Sequence, residues 1–377
     1  SAFNKAMNIY LTKNALHSAE AHNWRMAVEE ATGQDWNWFF NEWYYHAGHP
    51  VLKCSYTNND SLQVTTVTVT QAQSDSGFVY RLPLKAAVFY GTQKTVVNWD
   101  ISKKSQSFKV PYKNGVKPVV VPDYTHVLPG ELKDGKTLED FKAQFVNTDD
   151  YVSKRFAVNA AGRHLAEPVA QAIMDLAFAD NLHSIRRYAL SQVRNTSNES
   201  YRTRWADYII SMAKYDSDKL VRTEAFEILG EWKINGARGL MIQGVHYSSY
   251  SIAGAALEAL YKIDSQAGYQ LAKEMVSTDP KANLLNAVWS VIGKRAADED
   301  AQLFAKYVPY IFGNKRYYLA SAMHNYLKKV NGDEPFRVCC NVLVDLINTE
   351  ELRTYRAAFN SILFSLADGL NSNLKSE

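Results

Sequence analysis

Cysteine is scarce in this 377-residue chain, which contains only Cys54, Cys339 and Cys340. Neighbouring cysteines seldom bridge each other, so at most one disulfide could form, between Cys54 and one of the later pair. A disulfide framework of the kind that holds small secreted domains together is therefore not expected. The number of cysteines does not indicate the compartment, and a cytoplasmic location and a bacterial envelope or periplasmic location both stay open.

Charge of one sign and long apolar runs are also lacking. With 42 Lys and Arg against 39 Asp and Glu, the net charge is only +3, which gives no electrostatic basis for binding nucleic acid or an anionic membrane. No apolar stretch reaches about 18 residues, so we expect no membrane span. Hydrophobic residues make up 46% of the chain, as in soluble globular proteins, and this length favours two or three domains.

The beginning of the chain lacks both an initiator methionine and the features of a signal peptide. Ser1-Ala2-Phe3-Asn4 carries no basic residue and leads directly into a helical pattern instead of an apolar core. We therefore expect this sequence to be part of a longer parent protein.

Three regions with different hydrophobic patterns follow one another along the chain, and together they predict a multidomain α and β fold. Residues 1–48 are helical, with apolar side chains at helical spacing. Residues 49–131 contain short alternating runs separated by turn-forming clusters, as in a small β-sandwich. Residues 132–377 are helical again, in pieces of roughly 10–16 residues by their apolar period.

The strand region contains one irregularity in its alternation. Leu62 and Val64 alternate with polar neighbours, whereas Val67 and Val69 follow the opposite phase. A slip between these two pairs predicts a β-bulge or a crossing between sheets.

The last region repeats a short helical frame with a small residue at a fixed point. Ile185-Arg186-x-x-Ala189-Leu190-x-x-Val193 matches Val221-Arg222-x-x-Ala225-Phe226-x-x-Leu229 and Ile252-Ala253-x-x-Ala256-Leu257-x-x-Leu260. Weaker copies begin at Ala157 and Ala287. A small residue lets neighbouring helices approach closely, as stacked helices do in an α-solenoid of HEAT type. An unrelated helical bundle with recurring alanines is the alternative.

The most distinctive segment, residues 29–50, reads EEATGQDWNWFFNEWYYHAGHP. Trp36, Phe39, Phe40 and Trp43 fall at positions i, i+3, i+4 and i+7, so one face of the helix that they predict is almost wholly aromatic. We expect this face to be buried against the first strands and the preceding helices. It would then fix the joint between two domains.

This segment resembles the end of the catalytic domain in zinc aminopeptidases of the aminopeptidase-N type, which are gluzincins. That family's pattern is Ser/Thr-Gly-x-Asp-Leu-x-x-Phe-Phe-x-x-Trp, followed by Gly-His-Pro or Gly-Tyr-Pro and a β-strand. The chain has Thr32-Gly33-x-Asp35-Trp36-x-x-Phe39-Phe40-x-x-Trp43 and Gly48-His49-Pro50, with Trp36 in place of the usual Leu. The resemblance implies a helical remnant of a thermolysin-like catalytic domain (1–48), a β-sandwich (49–131) and a HEAT-like α-solenoid (132–377).

The motifs that carry the family's chemistry do not occur in this chain. The family binds zinc through His-Glu-x-x-His and a more distant Glu, and it recognises the substrate amino group through Gly-x-Met-Glu-Asn. The nearest combination here, His164-x-x-Glu167, lacks the second His that a zinc-binding helix needs. We therefore expect no catalytic, cofactor-binding or metal-binding residue in this chain, and zinc only in the catalytic domain of the parent.

Other candidate sites have simpler structural explanations. His46-x-x-His49, together with Cys54, could bind a metal, but Gly48 breaks the helix between the two histidines. The neighbours Cys339 and Cys340 lie among apolar residues, so burial in helix packing is expected and a redox pair is not. No serine lies in a recognisable nucleophile motif.

These observations predict the non-catalytic C-terminal region of an aminopeptidase, which supports the catalytic domain and shapes peptide access to its active site. The resemblance implies that the parent removes N-terminal residues from peptides, with a zinc-activated water attacking the scissile carbonyl. Its partners would be the upstream catalytic domain and, through that domain, peptides. Two alternatives stay open: a HEAT-like scaffold that binds a protein partner, and a catalytically inactive peptidase homologue.

Overall fold

Helices, the strands of two small sheets and then further helices follow one another along the chain in the computed structural model, which describes residues 1–74, 77–350 and 353–374. The chain divides into two compact units, Ser1–Met174 and Asp175–Glu377. The predicted multidomain α and β fold is confirmed at this level. The domain boundaries that we predicted near residues 48 and 131 stay predictions.

The first unit begins with a pair of helices, α1 (Ala2–Lys13) and α2 (Ala21–Thr32). Gly33 ends α2 in the left-handed conformation, with φ of 68°, which glycine adopts without a steric cost. The next helix is α3 (Asn37–Phe40), and the chain continues as one π-helical turn over Asn41–Tyr45. Two further helices, α4 (Leu138–Asn147) and α5 (Tyr151–Arg163), follow the strands, and the boundary between the two units falls within the next helix, α6 (Pro168–Phe178).

Two sheets lie between α3 and α4. Their strands are β1 (Val51–Asn59), β2 (Val64–Gln71), β3 (Leu82–Tyr90), β4 (Gln93–Ile101), β5 (Ser105–Pro111), β6 (Val119–Val121) and β7 (Glu131–Asp134). One sheet has the order β5-β2-β1-β7 and the other the order β4-β3-β6. Strands β1 and β7 pair in parallel, and the other pairs are antiparallel. Leu52, Val67, Leu84 and Trp99 belong to one buried cluster, so the two sheets share a hydrophobic core.

Strand β2 contradicts the slip that the alternation predicted. It pairs with β1 and with β5 in unbroken register from Val64 onward. Thr65, Val67 and Val69 are all buried, while Leu62 is 74% exposed in the turn before the strand. The prediction was wrong because Leu62 was counted as a strand residue. It is an exposed residue of the turn, so it takes no part in the alternation of β2.

In its described residues, the second unit contains helices and no strands. Its helices α7, α9, α11, α13, α15 and α17 pack in succession, each against the next. The three sequence frames that begin at Ile185, Val221 and Ile252 lie on α7, α9 and α11, and their aliphatic and alanine positions are buried. Side-chain caps start several helices; the Asp218 carboxylate, for example, accepts the N–H groups of the first turn of α9.

The bounds of these helices are α7 (His183–Val193), α8 (Glu199–Tyr215), α9 (Lys219–Glu231), α10 (Arg238–Val245), α11 (Tyr250–Ile263), α12 (Ser265–Val276), α13 (Ala282–Arg295), α14 (Ala301–Tyr307), α15 (Lys315–Leu327), α16 (Asp333–Thr349) and α17 (Arg353–Leu374). Within the described residues, no helix combines the length and the apolar character that crossing a bilayer requires.

Candidate functional site

The N-terminal helices expose a large amount of apolar surface. Among residues 1–48, only Ala6, Ala27 and Phe40 are buried. Helices α1 and α2 contact each other through Trp24, whose ring lies edge-on to a phenylalanine and a tyrosine of α1 at 5.7 and 5.6 Å. We define the N-terminal apolar surface by six large side chains that each expose more than half of their area: Phe3, Leu11, Leu16, Met26, Tyr44 and Tyr45.

An aromatic groove lies where α3 and its π-helical turn meet strand β3. Its volume is about 510 Å³, within the range of small-molecule pockets. The ring of Phe39 contacts Trp36 and Trp38 edge to face, with centroids 5.6 and 5.8 Å apart. The groove is lined by Trp36, Trp38, Phe39, Trp43, Arg81, Leu82, Pro83, Leu84, Val127, Leu128 and Pro129.

Arg81 is the charged residue of the aromatic groove. Its guanidinium carbon lies 5.1 Å from the centre of the Trp38 ring, a cation–π contact. Its backbone N–H donates to Glu42 Oε2 at 3.0 Å, which joins the π-helical turn to the start of β3. Partial burial raises the pKa of Glu42 above its ordinary value.

The predicted aromatic face is only partly buried. Phe40 is buried, and the ring of Trp43 packs against the core of the sheets, 5.2 Å from Tyr80. Trp36 is half-buried, and Phe39 is 37% exposed. Burial of all four rings was a wrong prediction because Trp36 precedes the helix and the π-helical turn has a wider spacing than an α-helix. The i, i+3, i+4, i+7 alignment is lost.

A cleft of about 1000 Å³ is lined by strands β1 and β7 and by helices α4 and α5. Lys136 and Asp134 form an ion pair there, with side chains only 1% and 4% exposed. The Tyr56 hydroxyl donates to Asp134 at 2.7 Å, and the Lys136 ammonium lies 5.5 Å from the centre of the Phe141 ring. Desolvation, together with the nearby charge of Asp134, holds the pKa of Tyr56 well above its usual range. Tyr56 therefore stays a hydrogen-bond donor.

The histidines and the cysteine of the possible metal site have separate contacts. The His46 ring stacks on Phe78 with centroids 3.6 Å apart, whereas His49 Nε2 lies 3.4 Å from Glu131. Cys54 is buried, and burial is the main cause that raises the pKa of its thiol to about 12. In the part of the chain that the structure describes, no three His, Cys, Asp or Glu side chains are grouped in a way that could hold a metal ion.

The remaining candidates from the sequence, His164 and the neighbours Cys339 and Cys340, do not form a site. His164 Nδ1 lies 3.5 Å from Glu167, and both side chains are more than half exposed. Cys339 is buried as expected, while Cys340 is half-buried. Burial raises the pKa of both thiols, so neither is a reactive thiolate near neutral pH.

Charged side chains connect successive helices of the second unit. Arg194, directly after the end of α7, bonds to Glu227 and Glu231 on α9, with nitrogen–oxygen distances of 2.8 and 2.6 Å. Lys262 on α11 lies 3.7 Å from the same Glu231. Because these charges compensate one another, we assign them to helix packing and not to ligand binding.

Comparison with known proteins identifies the fold. No protein-family model matches this sequence, and no curated protein matches it. A crystal structure of Legionella pneumophila aminopeptidase A in complex with aspartic acid is similar, with a TM-score of 0.54 at 10% sequence identity. The fold is aminopeptidase-like. The match covers 97% of this chain and 54% of that chain, so the present chain spans about half the length of that aminopeptidase. At this identity, the likeness shows the fold alone.

Proposed function

We propose that this chain is the non-catalytic C-terminal region of a zinc-dependent aminopeptidase. In this proposal it comprises a helical remnant of the catalytic domain, a β-sandwich and a HEAT-like helical domain. It supports the catalytic domain and shapes the access of peptides to the active site. The parent removes N-terminal residues from peptides, and the zinc is held upstream of this chain.

The N-terminal apolar surface is the observation that carries this proposal. Burying a large apolar side chain stabilises a protein by about 1.5–3 kcal/mol, and six such side chains are left largely in water here. These side chains belong to residues 1–48, the segment that resembles the end of a peptidase catalytic domain. A catalytic domain that precedes these helices and runs directly into them would cover them.

The aminopeptidase-like fold supports the same proposal. The similar aminopeptidase has nearly half of its length without a counterpart in this chain. The proposal places the zinc site and the amino-group recognition motif in that additional length. The present chain then contributes the walls along which a peptide reaches the site.

We expect the purified chain to hold no stoichiometric zinc and to cleave no aminoacyl substrate. The reason is that the chain lacks the family's metal-binding motif, and of the two histidines that the sequence suggests for a metal, His46 stacks on Phe78 and His49 lies beside Glu131. Metal analysis after dialysis, combined with an assay on aminoacyl-anilides, measures both properties. The longer parent protein, prepared in the same buffers, is the positive control.

One tightly held zinc ion per chain, with turnover that a chelator abolishes, would overturn the non-catalytic assignment. A parent that also lacks zinc and activity would favour the inactive homologue. The fold and the N-terminal apolar surface would stand in that case, but the peptidase function would not.

A further inference from the structure

The aromatic groove has the composition of a ligand site and no role in the proposed function. Small-molecule sites are clefts of about 300–1,000 Å³ lined mainly by apolar and aromatic side chains, with a few polar groups that orient the ligand. The groove, at about 510 Å³, contains four aromatic residues and one charged residue, Arg81. This composition suits a ligand with an apolar body and one polar end.

The walls of the aromatic groove are held in place by hydrogen bonds. The Asp123 carboxylate, only 6% exposed, accepts the backbone N–H groups of Val127 and Leu128 at 3.0 and 3.1 Å. Across the groove, the Glu42 bond to the backbone of Arg81 ties the aromatic segment to β3. A pocket that is formed before the ligand arrives spends little binding energy on ordering its own side chains.

Arg81 supplies the hydrogen-bond donors for the polar end of the ligand. Its guanidinium donates from Nε and Nη2 to Asp100 at 3.4 and 3.2 Å, and the two side chains are 50% and 55% exposed. A guanidinium has five N–H donors. The bonds to Asp100 use Nε and Nη2, and among the described residues no hydrogen bond is seen from Nη1. Two carboxylates lie beside Arg81: Asp100 accepts from its Nε and Nη2, and Glu42 accepts from its backbone N–H. The Nη1 donors are therefore the part of Arg81 that can bind an acceptor on the ligand, and Arg81 already lies over the Trp38 ring where a ligand cation would otherwise bind.

We propose that the aromatic groove binds a small amphipathic carboxylate, with its apolar body against Trp36, Trp38 and Phe39 and its carboxylate on Arg81. The carboxylate accepts charge-assisted hydrogen bonds from the guanidinium, which are about twice as strong as bonds between neutral groups. This inference does not rest on the proposed function, since all of its residues lie within the first compact unit.

Dodecanoate, used below the concentration at which it forms micelles, tests this proposal. We expect saturable binding at a single site, seen by calorimetry and as a change in tryptophan fluorescence. Dodecanol has the same body without the charge and should bind more weakly. Dodecyltrimethylammonium, with the opposite charge, should bind least.

Two substitutions at exposed positions separate the charged end of the site from its apolar body. Arg81→Gln should lower the affinity for dodecanoate roughly tenfold and lower the affinity for dodecanol much less, because its hydroxyl carries no charge. Val127→Glu places a carboxylate at the rim, where Val127 is 58% exposed, and should weaken dodecanoate more than dodecanol. Arg337→Gln, at a 70% exposed arginine of the second unit, is the matched control and should change neither affinity.

Several results would overturn the assignment. Equal dodecanoate affinity in the starting protein and in Arg81→Gln would show that the guanidinium does not bind the carboxylate. Binding without saturation would show adsorption to general apolar surface. Binding by this chain that the longer parent protein lacks would show that an upstream polypeptide segment fills the groove instead.

Discussion

Lys136→Met should destabilise the first compact unit by about 3–5 kcal/mol. The substitution removes the partner of Asp134 and leaves a carboxylate that is 4% exposed with the Tyr56 hydroxyl as its remaining donor among the described contacts. Removing one partner of a buried ion pair costs this much because the other charge stays out of water without compensation. Urea unfolding, followed by circular dichroism and tryptophan fluorescence, measures the change in the free energy of unfolding.

Lys133→Met is the matched control for this prediction. Lys133 lies three residues away and pairs with Glu131 at 3.7 Å, but both side chains are more than half exposed. Exposed pairs contribute about 0–1 kcal/mol, so this variant should unfold almost like the starting protein. Adding Asp134→Asn to Lys136→Met should recover much of the loss, because no uncompensated charge remains. Equal effects of the two lysine substitutions would show that the pair at Lys136 is not buried.

Gly230→Ala should destabilise the second unit by about 1–3 kcal/mol. A Cβ atom at Gly230, near the end of α9, would lie 2.6 Å from the Cα and 2.8 Å from the Cβ of Ala259 on α11. Backbone atoms of a packed helix cannot move away as the end of a flexible side chain can, so the two helices must separate. Thermal unfolding should show a melting temperature lower by several degrees.

Gly239→Ala separates this packing effect from the general effect of glycine in helices. Gly239 lies in α10, and a Cβ atom there would meet no atom within 4 Å. Alanine favours helices over glycine by about 0.5–1 kcal/mol, so this variant should be as stable as the starting protein or more stable. If Gly230→Ala were equally harmless, the close approach of α9 and α11 would be refuted.

Local patterns predicted the helices of the second unit well. The frames at Ile185, Val221 and Ile252 combine a helical period with a small residue, and both features are properties of neighbouring residues. They lie on helices that contact one another in succession. That this array is a HEAT-like solenoid is part of the proposal.

Features that depend on distant partners were not predicted. Strand β7 has the sequence Glu-Leu-Lys-Asp, which carries no strong strand signal, and it forms because β1 offers a parallel edge. Lys136 lies in an Asp-Gly-Lys stretch typical of a solvated turn, yet packing of α4 buries it. Both cases are tertiary effects that override local propensity.

The aromatic groove shows the same limit at the level of a site. The sequence shows the aromatic residues at 36–43, but it predicts only that their side chains are buried. The remaining walls come from residues 81–84 and 127–129, which are far apart in the chain and carry no shared motif. They come together only in the folded chain, where β3 packs beside the aromatic segment and Asp123 holds the backbone at 127 and 128.

The N-terminal apolar surface connects the fold to the proposed function, and its removal should act on assembly and not on folding. Replacing Leu11 and Met26 together by Ser changes two side chains that are 60% and 54% exposed. The double variant should fold normally and should bind the upstream part of the parent more weakly. Leu62→Ser, at a 74% exposed turn leucine, is the matched control and should bind like the starting protein.

Reassociation of this chain with the separately produced upstream part of its parent tests the central claim most directly. Analytical ultracentrifugation of the mixture should show a one-to-one complex, and its peptidase activity should exceed that of the upstream part alone. The gain should be larger for long peptides than for single-residue substrates, because the walls of an access path contact only residues beyond the cleaved one. Two pieces that sediment independently, with unchanged activity, would contradict the account and favour an independent protein-binding scaffold.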